Sequence, residues 1–318
     1  NERLVCDGNE RQRHASYPEY AALIAALATY NAQEPDNILP CNGSDQAIDL
    51  VMRTFTEPGA EVIIPQPSFS MYTQWAAVNR LKVVSPAYAN YYCGYPAQTV
   101  LAAINPNTRI IFVCNPNNPT GTPTDLTIIE LLAVSAPQAI IFVDEAYGEY
   151  ANVSAVKLLA KHPNIIVTRT FSKAFGLAGY RVGYILASAP HINELRKVRG
   201  PFDVNAEAVA AVLPALADSS AMRDYCREVM TLAKPLVEAS LTQLGIKYLP
   251  SAANFLLFPH ADAATIAEQL VQAGWRVKTL QLAGLGSCIR VTIGPTATMR
   301  RWLAALEKIL AGRVTDNA

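Results

Sequence analysis

Short β-branched runs, several of them apolar throughout, do most to limit the folds open to this chain. They fall at Glu61–Ile64, Lys82–Val84, Arg109–Cys114, Ala139–Val143, Asn164–Thr168 and Arg181–Ala187. A strand with one face in water alternates apolar and polar residues, whereas an unbroken apolar run belongs to a strand covered on both faces. The segments between, such as Ser44–Phe55 and Asp125–Ser135, repeat apolar residues at three- and four-residue steps, as amphipathic helices do. This alternation predicts an α/β fold, a mostly parallel sheet covered by helices.

The pattern changes after about residue 200. Helix-like stretches at Ala206–Ala217 and Ala221–Leu244 lead to strand-like segments at Asn254–Phe258, Arg276–Leu280 and Cys288–Ile293. Helix-like Ala263–Ala273 and Thr296–Leu310 interleave with these, which reads as a smaller α+β domain. At 318 residues the chain exceeds what one core commonly supports. We expect a large domain over 17–200, which helices to about 220 could join, and a small domain of 1–16 with 201–318; Pro201 marks the junction.

Lys plus Arg and Asp plus Glu number 26 each, and no basic stripe occurs. That argues against a nucleic-acid partner, so positive charge acts locally, at a site. No apolar run reaches membrane-spanning length and the opening NERLVCDGNE lacks a signal-peptide pattern, so a cytoplasmic protein without a membrane partner is expected. Cys6, Cys41, Cys93, Cys114, Cys226 and Cys288 are scattered without a CxxC pair, which favours reduced thiols. His14, His162, His191 and His260 do not pair at metal-ligand spacing, and no metal is expected.

Chemistry gathers where the expected strands end. Thr170-Phe171-Ser172-Lys173 follows Ile165–Val167, beyond the carboxyl end of a strand, where open α/β sheets place ligands. The hydroxyls of Thr170 and Ser172 with the cation Arg181 make an anion site suited to a phosphate ester. Nearby cations and partial desolvation would lower the lysine pKa and free its amine to attack an aldehyde. By itself, the Ser-Lys pair describes a solvated surface lysine more often than a nucleophile. Asp144-Glu145-Ala146-Tyr147 follows Ile140–Val143 in the same way. A carboxylate there can keep a proton on a pyridine nitrogen, and Tyr147 can donate to the ring's phenolate oxygen. The competing nucleotide-hydrolase reading of Asp-Glu needs a GxxxxGK(S/T) phosphate loop, and the chain has none.

Asn115–Gly121 (Asn-Pro-Asn-Asn-Pro-Thr-Gly) is a proline-stiffened loop presenting Asn118, although the same residue types make ordinary turns. Asn42-Gly43-Ser44-Asp45 precedes the helix-like Gln46–Phe55, whose free N–H groups and dipole suit a phosphate. Phe69 could stack on an aromatic ring or serve equally as a core aromatic. Arg290 sits mid-strand among apolar neighbours, a costly place unless it meets an anion such as a substrate carboxylate.

In order and spacing these pieces resemble the fold-type I pyridoxal 5′-phosphate (PLP) aminotransferases of class I/II, and within them the histidinol-phosphate aminotransferases. The matching stretches are NGSDQAIDL, PSFSMY, NPNNPTG, DEAY, RTFSKAFGLAGYRVGY, SAANF and CIRVTIG, spread from about residue 17 to 310. The resemblance implies that Lys173 carries the cofactor as a Schiff base and serves as acid and base in the proton shift. It implies Asp144 at the pyridinium nitrogen, Tyr147 and Asn118 at the ring oxygen, and Phe69 stacked on the ring. Gly43, Ser44, Asp45, Thr170, Ser172 and Arg181 would hold the cofactor phosphate. Tyr17, in Tyr17-Pro18-Glu19, would reach the phosphate of a neighbouring subunit, which implies a homodimer with shared active sites. Arg290, Lys278, Asn118 and Asn254 would bind substrate. The chain departs from the family at Asn9-Glu10-Arg11-Gln12, where an NENP-like segment and a further helix are usual before the Tyr-Pro motif. It departs again at Lys278, where histidinol-phosphate enzymes commonly show arginine, whose planar fork suits a phosphate better.

The expected activity is ping-pong transamination from an amino donor, histidinol phosphate first, to a 2-oxo acid acceptor such as 2-oxoglutarate. An aromatic or other amino-acid aminotransferase is the alternative within that chemistry. A PLP decarboxylase related to threonine-phosphate decarboxylase is the alternative outside it, and the GLAGYRVG wording favours transamination. A non-enzymatic reading, the aminotransferase-like effector module of a transcription regulator, calls for a basic DNA-binding segment, and none fits before residue 17.

Overall fold

The structure, a computed structural model, describes residues 17–88 and 94–315. Residues 1–16, assigned above to the small domain, lie outside the described residues, as do Cys6, His14 and Cys93. The larger of two sheets contains β1 (Ile38–Cys41), β2 (Glu61–Ile63), β3 (Lys82–Val84), β4 (Thr108–Cys114), β5 (Ile140–Asp144), β6 (Ile165–Thr170) and β7 (Gly183–Leu186). Their order across the sheet is β1-β7-β6-β5-β4-β2-β3. Pairs from β3 through β6 are parallel, and β7 is antiparallel to both of its neighbours.

Alternate residues of the central strands feed opposite faces of this sheet. Ile111, Val113, Ile141, Val143, Ile165 and Val167 share one core with the helix α1 (Ala21–Asn31) and with the helices Leu126–Ser135 and Ala206–Ala217. Ile110, Phe112, Phe142, Ile166 and Ile185 pack on the other side, against α2 (Gly43–Phe55), α3 (Ser70–Val78) and the helix Ala189–Val198. Two buried faces are why these runs show no polar alternation. Because Ala208, Val209 and Val212 belong to the first core, the packing of the sheet continues past residue 200.

β1 was not among the expected strands. It is short, lies at the edge of the sheet and contains Pro40, and an edge is where the missing N–H costs no ladder bond. β7 starts two residues later than expected, since Arg181 adopts a left-handed backbone (φ 57°) after a 3-10 turn. The smaller sheet is antiparallel, ordered β8 (Phe255–Pro259), β10 (Gly286–Thr292), β9 (Lys278–Leu282). β9 also starts two residues beyond the expected Arg276. The expected helix Ala221–Leu244 holds, but a π-helical turn over Val229–Ala233 interrupts it. Among the described residues no helix is long and apolar enough to cross a membrane.

This topology fixes where chemistry can occur. β4, β5 and β6 end at one edge of the sheet, and β1, which runs the same way as β6, delivers the start of α2 to that edge. Reversed β7 begins there, which places Arg181 beside groups that follow the other strands.

Candidate active site

At that edge lies a cleft of about 610 Å³, counting its open mouth. Ser44, Asp45, Phe69, Asn118, Asp144, Tyr147, Thr170, Ser172, Lys173 and Arg181 line it, so residues from five separate stretches of sequence converge. Gly43 stands just behind, with φ +71°, where an added Cβ would sit 2.6 Å from Arg181 Nη2. Tyr17, Lys278, Arg290 and Asn254 are not part of this lining.

Asp144 ends β5 only 3% exposed. Its Oδ2 accepts from Tyr72 Oη at 2.7 Å and its Oδ1 from the Ala146 N–H at 3.0 Å. Burial pushes its pKa up to about 6, against the pull of these hydrogen bonds. Lys173 stands three residues beyond β6, with Nζ 5.6 Å from the centroid of the Tyr147 ring. Desolvation, and then the Arg290 charge, lower its pKa, which raises the fraction of reactive free amine. Tyr147 is buried and meets Phe255 edge-on at 5.2 Å; burial lifts its pKa to about 12, so its hydroxyl stays a donor.

The anion seat is built on hydroxyls and a guanidinium. Ser172 Oγ accepts from Thr170 Oγ1 at 3.0 Å and from Arg181 Nη1 at 3.2 Å. Thr170 Oγ1 also lies 3.3 Å from the Val182 carbonyl, so the two hydroxyls belong to one hydrogen-bonded chain along the cleft wall. α2 starts at Gly43 rather than Gln46, so Gly43, Ser44 and Asp45 form its first turn, with N–H groups free of helical partners. Asp45 enters the seat differently from the expectation. Its carboxylate accepts from Arg181 Nη2 at 3.1 Å, and an anion cannot itself hold a phosphate. The Asp45 side chain orients the guanidinium, leaving only its main chain for an anion.

Asn118 meets the small sheet, because its Oδ1 accepts from Arg290 Nη1. Arg290 also packs over Phe255, with Cζ 5.2 Å from the ring centroid. Lys278 is the register partner of Arg290 across the β9–β10 ladder, so the two cations share one face. Asn254 touches the ladder through its main chain, where its carbonyl accepts from the Ile293 N–H at 2.8 Å. Tyr17 stacks on Phe202 at 3.9 Å, 54% exposed and away from this subunit's own cleft.

Several structural partners went unread in the sequence. Tyr72 is the side-chain partner of Asp144, and its only signal was its place in PSFSMY, three residues after Phe69. Glu145, next to Asp144, is not part of the cleft lining and accepts from Arg169 Nε and Nη2 at 3.0 and 2.9 Å, a largely buried ion pair. Asn117 ties the Asn115–Gly121 loop to Pro67, Ser68 and Thr120, which fixes Asn118 relative to the Phe69 loop.

A lysine at the strand ends, a buried carboxylate across from it and a seat for a phosphate ester together define a PLP-dependent enzyme of amino-group chemistry. The chain belongs to the class I and II aminotransferases, whose sequence model matches residues 5–306. It is 36% identical to histidinol-phosphate aminotransferase 1 of Dechloromonas aromatica, an alignment covering 92% of this chain and 82% of that protein. It is 35% identical to the histidinol-phosphate aminotransferase of Moorella thermoacetica, covering 91% and 76%. The crystal structure of histidinol-phosphate aminotransferase from Sinorhizobium meliloti in complex with pyridoxal 5′-phosphate superposes with a TM-score of 0.84 at 27% identity, covering 93% of this chain and 83% of that one. The activity of this chain is accordingly PLP-dependent transamination. The residues present fit that cofactor: an amine, a buried carboxylate, a phenol held protonated, and an anion seat into which a Cβ on Gly43 would intrude.

Proposed function

We propose that this enzyme moves the amino group of L-histidinol phosphate to a 2-oxo acid such as 2-oxoglutarate, in a ping-pong cycle. The observation that carries the substrate is the cross-strand pair of cations, Arg290 and Lys278, rising from the small sheet beside Asn118. Histidinol phosphate has no carboxylate, so its phosphate would take the place at Arg290 that the sequence suggested for a carboxylate. The acceptor's carboxylate would occupy that place in the second half of the cycle. Names of the relatives at 35–36% identity support the same donor.

PLP, when bound, supplies an aldehyde that takes the amino group and a ring that accepts electrons. Lys173 is the side chain that holds it and that carries a proton between substrate carbon and cofactor, which its lowered pKa allows. Asp144 is the anionic partner of the ring nitrogen, Tyr147 and Asn118 donate to the ring oxygen, and Phe69 covers one ring face. Ser44, Thr170, Ser172, Arg181 and the first turn of α2 hold the phosphate. Tyr17 would complete that seat in a second copy of the chain, so the working form is a cytoplasmic homodimer. Residues 17–200 and the helix Ala206–Ala217 would form the cofactor-binding domain, with the remainder of the C-terminal part closing over it.

A half-reaction screen tests the donor. Loss of the cofactor's visible absorbance should be fast with histidinol phosphate and slow with phenylalanine. A fast response to phenylalanine without one to histidinol phosphate would reject the donor assignment. Carbon dioxide release from threonine phosphate without conversion of the cofactor to its pyridoxamine form would select the decarboxylase reading instead.

A further inference from the structure

We propose that Tyr72 is a positioning residue for transamination: its hydroxyl fixes the Asp144 carboxylate toward the ring nitrogen, and its ring braces Phe69. One buried side chain would thus set two cofactor contacts. The proposal rests on Asp144 and Phe69 being those contacts.

Tyr72 lies on α3, whose start follows the Phe69 loop, and is fully buried. Its ring stacks on Phe112 at 4.8 Å and 28°, and meets Phe69 edge-on at 5.6 Å and 86°. Packing on both sides leaves its hydroxyl little freedom, and the 2.7 Å bond to Asp144 Oδ2 is its fixed end. The other carboxylate oxygen takes a main-chain N–H at 3.0 Å, so Tyr72 is the side-chain donor to this carboxylate.

Several other groups face Asp144. Lys173 favours its charged form and Asp45 opposes it, each from a separate element. Cys114, its register partner on β4, reaches the Tyr72 hydroxyl. Burial opposes the charged form most, and the Tyr72 hydrogen bond is the largest influence acting against burial. The Tyr72 phenol is itself held protonated far above neutral pH, so it donates throughout the working range. Without that hydroxyl, Oδ2 would lose its protein donor in a buried setting, and Asp144 would take up a proton at higher pH. A neutral Asp144 cannot keep a proton on the ring nitrogen, and electron withdrawal would weaken.

Tyr72→Phe keeps both ring contacts and removes only the donor. The acid limb of kcat/KM for the half-reaction should move up by about one pH unit, the scale set by a hydrogen bond to a charged group. The shift of a 15N-labelled ring nitrogen in the bound cofactor should move toward its unprotonated value at neutral pH. Replacing Tyr72 with a ring-fluorinated tyrosine makes a stronger donor of nearly the same shape and should move the acid limb the other way. That variant is read if Tyr72→Phe does not fold. An unchanged acid limb and ring-nitrogen shift in whichever variant folds would overturn the proposal. Asp144→Asn separates this from the parent reading: a ring nitrogen still protonated there would remove Asp144 from its role, whatever Tyr72 does.

Discussion

Gly43→Ala isolates the anion seat, because the geometry says which neighbour must yield. An added Cβ would sit 2.6 Å from Arg181 Nη2 and 3.3 Å from Arg181 Cζ, the far end of a flexible side chain. The guanidinium would swing aside, leaving Ser172 Oγ and Asp45 Oδ2. Alanine at φ +71° adds backbone strain of about 1–2 kcal/mol. The Arg181 side chain is 43% exposed, so its loss from a bound phosphate is worth about 1–2 kcal/mol, below the value for a buried charged bond. Affinity for PLP should therefore fall roughly 5- to 30-fold. Gly183→Ala is the contrast, since its Cβ would meet the Gly43 carbonyl carbon, the Ser44 nitrogen and the Arg169 oxygen at 2.7, 2.7 and 2.8 Å. Those are main-chain atoms of α2 and β6, and neither element can retreat without opening the sheet edge. That variant should lose more than about 4 kcal/mol of stability and accumulate poorly. The assay is a fluorescence titration of apoenzyme with PLP, with thermal unfolding at one protein concentration. A Gly43→Ala enzyme that binds PLP within twofold of wild type would refute the reasoning, as would one whose apo form is as damaged as Gly183→Ala.

The remaining predictions concern buried charge. Asp144 titrates near 3.8 unfolded and about 6 folded, so its contribution to apoenzyme stability is full below about pH 4 and is lost as pH rises through about 6. Asp144→Asn apoenzyme should therefore be more stable than wild type by about 2–3 kcal/mol above neutral pH, and equal to it in acid; the same difference at both pH values in urea unfolding would contradict this. Glu145→Ala strands the Arg169 guanidinium, along with the Ser154 hydroxyl and the Ala155 N–H, which donate to Glu145 at 2.8 and 2.6 Å. It should cost about 3–5 kcal/mol in the same assay, and a loss under about 1 kcal/mol would mean the pair is not buried.

What the chain's own order of residues determined is local. Unbroken apolar runs demand two covered faces, and proline- and glycine-rich stretches demand loops. Lys173, Asp144 and Asn118 could therefore be placed just beyond strand ends from the sequence, whereas Arg181 was read as the first residue of a strand that begins at Gly183. β1 escaped because four residues with a proline carry too little periodicity to stand out, and its strand exists only through pairing with β7. The tertiary structure decided everything that depends on which elements become neighbours. Tyr72 and Asp144 are 72 positions apart, Asp45 and Arg181 are 136, and Asn118 and Arg290 are 172. No pattern of a few residues encodes such meetings. They follow from the sheet order, with the single reversed strand β7 bringing Arg181 to the edge where its parallel neighbours end. Sequence alone thus suggested many of these groups, but not Tyr72. Folding set their charges, because the burial that lifts Asp144 and lowers Lys173 arises only once distant segments exclude water around them.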